Sequence, residues 1–225
     1  MSRLLELMTH PKMFYDALKT RIFKKPKEIE WNSRVNELGA YSVIDTRHAP
    51  SEYEYVTKRQ KEILFPLLKS QLSGLEKTVL DFGCGPGRFT QDLAEIIKGK
   101  AVGTDVTEKL IKLTVPHPDV KFIYAKNFFA ENNLKFDIVW VSLVLGGIPD
   151  KNLRPILDGI VDSLSPNGLL FLVESTGDEP VEEIWRIRTR DQLCSLFPSI
   201  ALQTLGTYYD VGQEISILAG RKIEN

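Results

Sequence analysis

The chain has 225 residues and a formal net charge of −1, with 43% hydrophobic and 26% charged residues. This composition is ordinary for a globular domain and excludes a disordered chain, a collagen-like chain and a generally basic nucleic-acid coat. The two cysteines, Cys84 and Cys194, are too few for a disulfide framework, so we expect a reducing, cytoplasmic compartment. The longest uncharged run, 192–209, contains too many polar residues to span a membrane.

The first 27 residues are basic, with seven Lys or Arg against two acidic residues, a local charge of +5. Their apolar residues suit two short helices separated by Pro11. Two interpretations stay open: the helices pack on the rest of the chain, or they make a peripheral contact with an anionic membrane. We predict a helical N-terminal extension and lid over residues 1–75, followed by a second domain over residues 76–225.

The pattern after this extension predicts alternating helices and strands. A long helix is predicted over 51–72, with Pro66 bending or interrupting it. Short apolar runs then alternate with helical segments, which is typical of βαβ units and of a parallel sheet covered on both faces. The predicted strands are 78–82, 101–104, 120–124, 136–145 and 169–173, and the predicted helices are 88–98, 107–113 and 151–164.

The C-terminal part departs from this alternation. A helix is predicted around 179–197, followed by two extended segments, 201–209 and 214–219. The four residues between these segments are too few for a crossover helix, so the two strands should pair as an antiparallel hairpin. The predicted fold is therefore α/β, a three-layer sandwich with a mostly parallel seven-stranded sheet and an antiparallel hairpin at its C-terminal edge.

The strongest motif follows the first predicted strand and reads DFGCGPGRFT over 81–90. Gly83, Gly85 and Gly87 stand at alternate positions, and a helix begins at once. Glycines let the backbone turn sharply and approach a ligand without an intervening Cβ. Asp105 follows at the end of the next strand, where a carboxylate can accept hydrogen bonds from both hydroxyls of a ribose.

Spacing and charge indicate which nucleotide this loop binds. A dinucleotide loop has the pattern G-x-G-x-x-G, whereas here the third glycine comes one residue early and Arg88 takes the place that it would need. Asp81 precedes the loop, where an acid is unfavourable beside a pyrophosphate but suits a ligand that carries an ammonium or sulfonium group. The loop therefore favours S-adenosylmethionine over NAD.

Over about 79–174 the sequence resembles class I S-adenosylmethionine-dependent methyltransferases of the bacterial small-molecule type. The segments that carry the resemblance are the glycine loop, the acid Asp105, FDIV and VSLVL within 136–145, and LSPNG at 164–168. The resemblance implies a Rossmann-like fold, in which the loop wraps the methionine part of the cofactor and the end of the fourth strand faces the sulfonium. The cofactor-binding residues that it implies are Asp81, Gly83, Cys84, Gly85, Gly87, Asp105, Val106, Asn127, Ser142 and Leu143.

Two positions depart from the family pattern. The acid that commonly holds the adenine amino group after the third strand is replaced by lysine or asparagine, although Asn127 can still offer its side-chain carbonyl. The histidines that many small-molecule members carry after the fourth strand are absent, because 145–149 reads LGGIP. The base is therefore missing from its usual position.

His48 and Glu174 are the candidate catalytic residues. His48 precedes the glycine loop, in a part of the chain that covers the cofactor in this family; the alternative is a capping or salt-bridging turn. Glu174 ends the fifth predicted strand, and ligands bind at the carboxyl ends of strands in open α/β sheets. Cys84 is interpreted as a small space-filler, since no histidine in the motif accompanies it. No spacing in the sequence suggests a metal site.

The sequence thus predicts methyl transfer to an O or N nucleophile of a small-molecule acceptor, with base assistance from His48. One alternative is methylation of a glycan or lipid-linked intermediate at the membrane surface, and another is a non-catalytic cofactor-binding paralogue. An NAD(P)-dependent reductase is disfavoured because the Tyr-x-x-x-Lys spacing occurs only far upstream, at Tyr15 and Lys19. A nucleic-acid substrate is disfavoured because no basic and aromatic stripe is present.

Overall fold

The computed structural model describes residues 30–177 and 185–223. The basic segment 1–27, with its two predicted helices and its predicted membrane contact, lies outside the described residues. Residues 178–184, near the start of the helix predicted around 179–197, also lie outside them. No helix in the two described ranges is long and apolar enough to cross a bilayer.

The described chain begins with helical segments that precede the sheet. Helix α1 (Trp31–Leu38) leads into two 3₁₀ turns, Gly39–Val43 and Pro50–Glu52, and then into helix α2 (Tyr53–Gln71). Helix α2 confirms the long helix predicted over 51–72, but it runs through Pro66 without interruption. Pro66 has no N–H to donate to the Glu62 carbonyl one turn earlier. Both residues are exposed, so water can donate to that carbonyl instead.

The strands of the described residues form one seven-stranded sheet. In chain order they are β1 (Thr78–Phe82), β2 (Lys100–Asp105), β3 (Val120–Tyr124), β4 (Phe136–Ser142), β5 (Leu164–Ser175), β6 (Gln203–Asp210) and β7 (Gln213–Arg221). Their order in the sheet is β3-β2-β1-β4-β5-β7-β6. Strands β1 to β5 are parallel, and β7 is antiparallel to both β5 and β6. The predicted parallel sheet with an antiparallel edge hairpin is confirmed.

The other helices of the described residues alternate with the strands along the chain. They are α3 (Thr90–Ile97), α4 (Glu108–Ile111), α5 (Phe128–Glu131), α6 (Asp150–Ser163) and α7 (Arg190–Leu196). Helix α4 is a single turn, shorter than the helix predicted over 107–113. The helix predicted around 179–197 was too long, because 185–189 is not helical. Thr189 starts α7 instead, where its side chain accepts from the Gln192 N–H and the Gln192 side chain accepts from the Thr189 N–H.

Both faces of the sheet are buried, which explains the nearly continuous apolar strands. On one face, Leu64 and Leu68 of α2 and Leu93 of α3 pack in one core with Val79 and Trp140. On the other face, residues of α6 and α7 pack with Leu80 and Val139 in a second core. Each fully buried aliphatic side chain contributes about 1.5–3 kcal/mol relative to exposure. The three-layer Rossmann-like sandwich is thereby confirmed. The division at residue 75 stays a prediction.

Strand β4 ends at Ser142, three residues before the predicted end at 145. Leu143 adopts a left-handed backbone (φ 55°), and its N–H donates to the Val173 carbonyl at 2.8 Å. This conformation costs a non-glycine residue about 1–2 kcal/mol and breaks the extended run. The chain then forms a 3₁₀ turn over Leu145–Gly147. As a result, the segment after β4 turns across the carboxyl ends of the strands.

Candidate active site

A cavity lies at the carboxyl ends of β1, β2, β4 and β5, the edge at which open α/β sheets bind ligands. Its walls are the glycine loop, the turn at 42–45, the segment after β4 and the tip of the β6–β7 hairpin. Acidic and basic side chains both line it. The charged lining residues are Arg34, Asp45, Asp81, Arg88, Asp105, Lys126 and Asp210.

The glycine loop has the conformation that only glycine adopts readily. Gly83, Gly85 and Gly87 have φ values of 75°, 57° and 84°. A Cβ on Gly83 would meet Val144 Cγ2 at 2.5 Å, and one on Gly85 would meet Val43 Cγ1 at 2.9 Å. The N–H groups of Gly83 and Cys84 both donate to the Thr104 carbonyl, at 2.9 and 3.0 Å. The loop is therefore held against β2 in close contact with its neighbours.

Asp105 ends β2 beside this loop. Its carboxylate accepts from the Gly85 N–H at 3.0 Å and from the Thr107 N–H at 2.8 Å. Burial raises the pKa of Asp105, while these hydrogen bonds lower it. The neighbouring Val106 lines the cavity and is half exposed. Both predicted residues are thus at the cavity wall.

Asp81 lies at the base of the cavity and is almost completely buried. Its Oδ2 accepts a hydrogen bond of 2.6 Å from the Thr90 hydroxyl at the start of α3. Burial raises the pKa of Asp81 to about 7, and the nearby Asp105 adds to the rise. A cation that entered the cavity would therefore favour the ionised form of this carboxylate.

Arg88 is a lining residue whose role the sequence did not predict. Its Nη2 donates to Gln60 Oε1 of α2, and its guanidinium lies over the Phe89 ring with 4.7 Å between Cζ and the ring centroid. Nη1 is buried without a hydrogen-bond partner among the described residues. Asp81 and Asp210 both favour its charged form. The sequence signal was the position of Arg88 directly after the glycines, which we used only to exclude a dinucleotide loop.

Cys84 and Asn127, two further predicted cofactor residues, also line the cavity. Burial raises the pKa of the Cys84 thiol, so the side chain stays protonated and fills space. Asn127 caps α5, where its Oδ1 accepts from the Ala130 N–H at 3.4 Å. The carbonyl expected to contact adenine therefore already has a weak partner.

Ser142 and Leu143, which are predicted to bind the cofactor, line the cavity at the end of β4. Glu174 lies next to this segment but outside the cavity lining, and it is 2% exposed. Its Oε1 accepts from the Val144 and Leu145 N–H groups at 2.8 and 2.6 Å. Burial raises the pKa of Glu174 to about 7, although these two hydrogen bonds lower it. The Glu174 carboxyl group thus anchors the segment after β4 and does not line the cavity.

His48 also lies outside the cavity lining. Its Nε2 is 2.9 Å from Oδ1 of Asp210, which does line the cavity at the end of β6. Its Nδ1 is 3.6 Å from Glu52 Oε2, beyond hydrogen-bonding distance. The structure therefore brings Asp210, which sequence analysis missed, to the position expected of His48. Position 210 gave no sequence signal beyond its place in a predicted hairpin turn.

Trp185 covers the segment after β4. The Arg186 N–H donates to the Gly146 carbonyl at 2.9 Å, and Arg188 donates to the Leu145 carbonyl and to Asp150. The Trp185 indole lines the cavity, with its Nε1 buried and unpartnered among the described residues. Within those residues, no group of three or more His, Cys, Asp or Glu could hold a metal ion.

The model of the methyltransferase domain family matches residues 53–209, a stretch that begins in α2 and ends in β6. The chain belongs to this methyltransferase family. The predictions of a class I S-adenosylmethionine-dependent methyltransferase, and of S-adenosylmethionine as its cofactor, are confirmed. The matched part includes the glycine loop, Asp105 and the segment after β4, whereas the cavity walls at 42–45 and at the hairpin tip lie outside it.

Relatives and solved structures agree with this assignment. The chain is 26% identical over 160 residues to alpha N-terminal protein methyltransferase 1 of Caenorhabditis elegans, covering 68% of this chain and 66% of that protein. It is 24% identical over 187 residues to N-terminal Xaa-Pro-Lys N-methyltransferase 1 of Bos taurus, covering 78% and 77%. The fold resembles magnesium protoporphyrin IX methyltransferase from Synechocystis PCC 6803 with bound SAM, with a TM-score of 0.63 and 15% identity over 85% of this chain and 93% of that one.

Proposed function

We propose that this enzyme transfers a methyl group from S-adenosylmethionine to an amine nitrogen. The observation that carries the proposal is the Asp210 carboxylate, which lines the cavity and has His48 as its hydrogen-bond partner. A carboxylate suits a cationic amine acceptor, whereas a hydroxyl acceptor has no charge for it to pair with. The nematode and bovine relatives are both named for methylation of protein N-termini, which also supports an amine.

The residues of the cavity fit the amino-acid end of the cofactor. This end carries an ammonium and a carboxylate, and the cavity offers the Asp81 carboxylate and the unpartnered Nη1 of Arg88 close to each other. The cofactor ammonium would then pair with the Asp81 carboxylate, and the cofactor carboxylate would accept a hydrogen bond from Arg88 Nη1. The absence of a Cβ at Gly83 and Gly85 lets the loop pack closely against Val144 and Val43, which also line the cavity.

The nucleoside end is assigned to the neighbouring strands. Asp105 is proposed to hold the ribose hydroxyls, with both of its oxygens already oriented by backbone N–H groups. Val106 would contact the nucleoside. Asn127 would contact adenine, for which its side-chain NH₂ is an available donor. Ser142 and Leu143 would lie beside the sulfonium.

When bound, the cofactor supplies a methyl group on a good leaving group, so the protein has mainly to orient the acceptor. Positioning of this kind can supply about 7–11 kcal/mol of the barrier. The acceptor nitrogen must also lose a proton, since only the neutral amine has a free electron pair. A carboxylate in contact with that nitrogen can add a factor of about 10²–10⁴.

The two predicted catalytic residues take positioning roles in this proposal. Glu174 is assigned to the segment after β4, because its carboxyl oxygen is occupied by two backbone N–H groups and does not line the cavity. His48 is assigned to Asp210, because Asp210 stands between its ring and the cavity. The carboxylate partner of the His48 ring, 162 residues away in the chain, supports this positioning role.

Calorimetry and a labelled methyl-transfer assay test the proposed function. The enzyme should bind S-adenosylmethionine and not NAD. It should methylate the nitrogen, and not the oxygen, of ethanolamine, or the free N-terminus of a synthetic peptide that begins Ser-Pro-Lys. The first acceptor indicates a small-molecule enzyme and the second a protein N-terminal enzyme. Cofactor binding with O-methylation of ethanolamine, or with transfer to neither probe, would contradict the amine assignment.

A further inference from the structure

Within residues 30–177 and 185–223, four carboxylates line the cavity, and their positions and partners separate them into two groups. Asp81 and Asp105 lie beside the glycine loop and are assigned to the cofactor. Asp45 and Asp210 lie on the other walls, at the turn before α2 and at the hairpin tip. Among the residues that the structure describes, a carboxylate that contacts the acceptor would come from this second pair.

Asp45 is already neutralised by an arginine. Arg47 donates to its Oδ1 through Nε at 2.9 Å and to its Oδ2 through Nη2 at 2.7 Å. Although burial raises the pKa of Asp45, the hydrogen bonds from Arg47 leave it below the usual value. Both oxygens are thus committed to a two-point ion pair, which makes Asp45 a weak base.

Asp210 has a different environment. It is 8% exposed, and His48 Nε2 is hydrogen-bonded to its Oδ1 at 2.9 Å. Arg88 interacts with it electrostatically, but the guanidinium donates to Gln60 instead. Hydrogen bonding among the described side chains therefore leaves Oδ2 of Asp210 for a ligand.

The hairpin tip is held in place from the turn before α2. Val211 and Gly212 form the two-residue turn, with φ values of 41° and 83°. A positive φ strains a β-branched residue such as Val211. The Val211 carbonyl accepts a hydrogen bond from Arg47 Nη1, in the turn before α2. The residue after Arg47 is His48, whose ring is hydrogen-bonded to Asp210. Two consecutive residues thus fix both the backbone and the side chain of the tip.

We propose that Asp210 is the catalytic carboxylate that binds the acceptor ammonium and takes its proton, and that His48 is its positioning residue. The proposal rests on the amine function proposed above. One N–H bond of the ammonium breaks and its proton goes to Asp210. The freed electron pair then forms the new N–C bond, while the bond from that carbon to sulfur breaks and its electron pair stays on sulfur. The products are a methylated ammonium, a neutral thioether and one proton, which Asp210 releases to solvent.

Asp210→Asn is the central test, since it keeps the shape and removes the base. With S-adenosylmethionine saturating, kcat for the amine probe should fall by about 10²–10⁴. The Kd for S-adenosylmethionine should stay within about twofold, because the cofactor contacts are elsewhere. Asp210→Glu, which keeps a carboxylate, should retain more activity than Asp210→Asn. This comparison also decides the case if the asparagine variant folds poorly.

His48→Gln tests the positioning role, because glutamine keeps a donor at similar reach. It should lower kcat by about tenfold or less, with KM within twofold and an unchanged melting temperature. His48→Ala should lower kcat further. The matched control for Asp210→Asn is Glu54→Gln, which also replaces a carboxylate by an amide, at an exposed position in the first turn of α2 outside the cavity lining. Its kcat should equal that of the wild type.

Several results would overturn the proposal. If the wild type methylates an amine and Asp210→Asn keeps kcat within about threefold, Asp210 is not the base, although the proposed function stands. If Asp210→Asn loses cofactor binding, Asp210 belongs to the cofactor site. If the wild type binds S-adenosylmethionine but methylates neither amine probe, the amine function and the role of Asp210 fail together.

Discussion

The indole of Trp185 occupies the space that a side chain on Gly146 would need. A Cβ built on Gly146 would overlap the pyrrole part of the ring at Nε1, Cε2 and Cδ1. The adjacent hydrogen bond from the Arg186 N–H to the Gly146 carbonyl, 2.9 Å long, keeps the two segments together. A glycine is therefore favoured at position 146 for a steric reason, in the segment after β4 where many small-molecule members of the family carry histidines. An aromatic side chain from another segment takes that part of the cavity wall.

Gly146→Ala should displace Trp185. Overpacking of this kind typically costs about 1–3 kcal/mol of unfolding free energy. We also expect a change in tryptophan emission and a higher KM for the acceptor, since Trp185 lines the cavity. Gly206→Ala is the matched control, because its Cβ would meet only Leu67 Cδ1 at 3.8 Å. Equal melting temperatures and emission spectra for the two variants would refute the contact.

Gly85→Ala should weaken S-adenosylmethionine binding by at least about tenfold, or about 1.4 kcal/mol. The backbone there has φ 57°, and the new Cβ would press against Val43. Gly74→Ala is the control, since Gly74 also has a positive φ, 87°, but open space around its Cβ. Both variants should lose stability through backbone strain, and only Gly85→Ala should lose affinity. Calorimetry that found equal cofactor affinities would remove the loop from the binding site.

The affinity for S-adenosylmethionine should rise with pH up to about 7. Burial raises the pKa of Asp81 to about 7, so at pH 5.5 most of this carboxyl is protonated and cannot pair with an ammonium. Kd should therefore increase by up to tenfold for each unit below pH 7. Asp81→Asn should abolish this slope and bind weakly throughout, while Asp119→Asn, on an exposed pair with Lys100, should keep it. Calorimetric titrations between pH 5.5 and 7.5 measure the pH dependence of Kd in both variants. If the dependence persists in Asp81→Asn, a group other than Asp81 causes it.

Glu174→Gln should change the pH dependence of stability. The folded-state pKa of Glu174 is raised by burial to about 7 from 4.5, so the folded state holds the proton more tightly than the unfolded state. The stabilising effect of this proton is present below pH 4.5 and is lost as pH rises to about 7. On going from pH 5 to pH 8 the variant should gain up to about 3 kcal/mol relative to the wild type.

Melting curves at pH 5, 6.5 and 8 test this expectation, with Glu95→Gln as the control on an exposed helical position. A gain of about 3 kcal/mol corresponds to roughly 6–12 °C for a domain of this size. The control should follow the wild type at each pH. If the difference between Glu174→Gln and the wild type were the same at all three values, Glu174 would be ionised in the folded state.

Local signals located most of the secondary structure and the cofactor end of the cavity. Strands β1 and β3 have the predicted bounds, because each is a short, mostly apolar run that begins directly after a charged residue, Lys77 or Asp119. The glycine loop and Asp105 were recognisable because the turn and the next strand end are close along the chain. The helix predicted around 179–197 failed within 185–189, where hydrogen bonds to the segment after β4 override helical periodicity.

The rest of the site was harder to predict from the sequence, because its residues come from distant parts of the chain. The sequence shows that Arg88 follows the glycine loop, but it does not show that the guanidinium is buried with one nitrogen unpartnered among the described residues. Glu174 was correctly placed at a strand end, yet the direction of its side chain depends on backbone N–H groups 29 and 30 residues away. Periodicity along one strand does not reveal such contacts.

The sequence by itself determined the family, the βαβ alternation, the edge hairpin and the glycine loop, since each depends on residues that are near one another along the chain. Only the tertiary structure decided which distant groups meet at the cavity. His48 and Asp210 are 162 residues apart, and they meet because the hairpin returns to the carboxyl edge of the sheet beside the turn before α2. Burial then sets the charge of Asp81 and Glu174, since desolvation depends on what surrounds a carboxyl group in space and not on its neighbours in sequence.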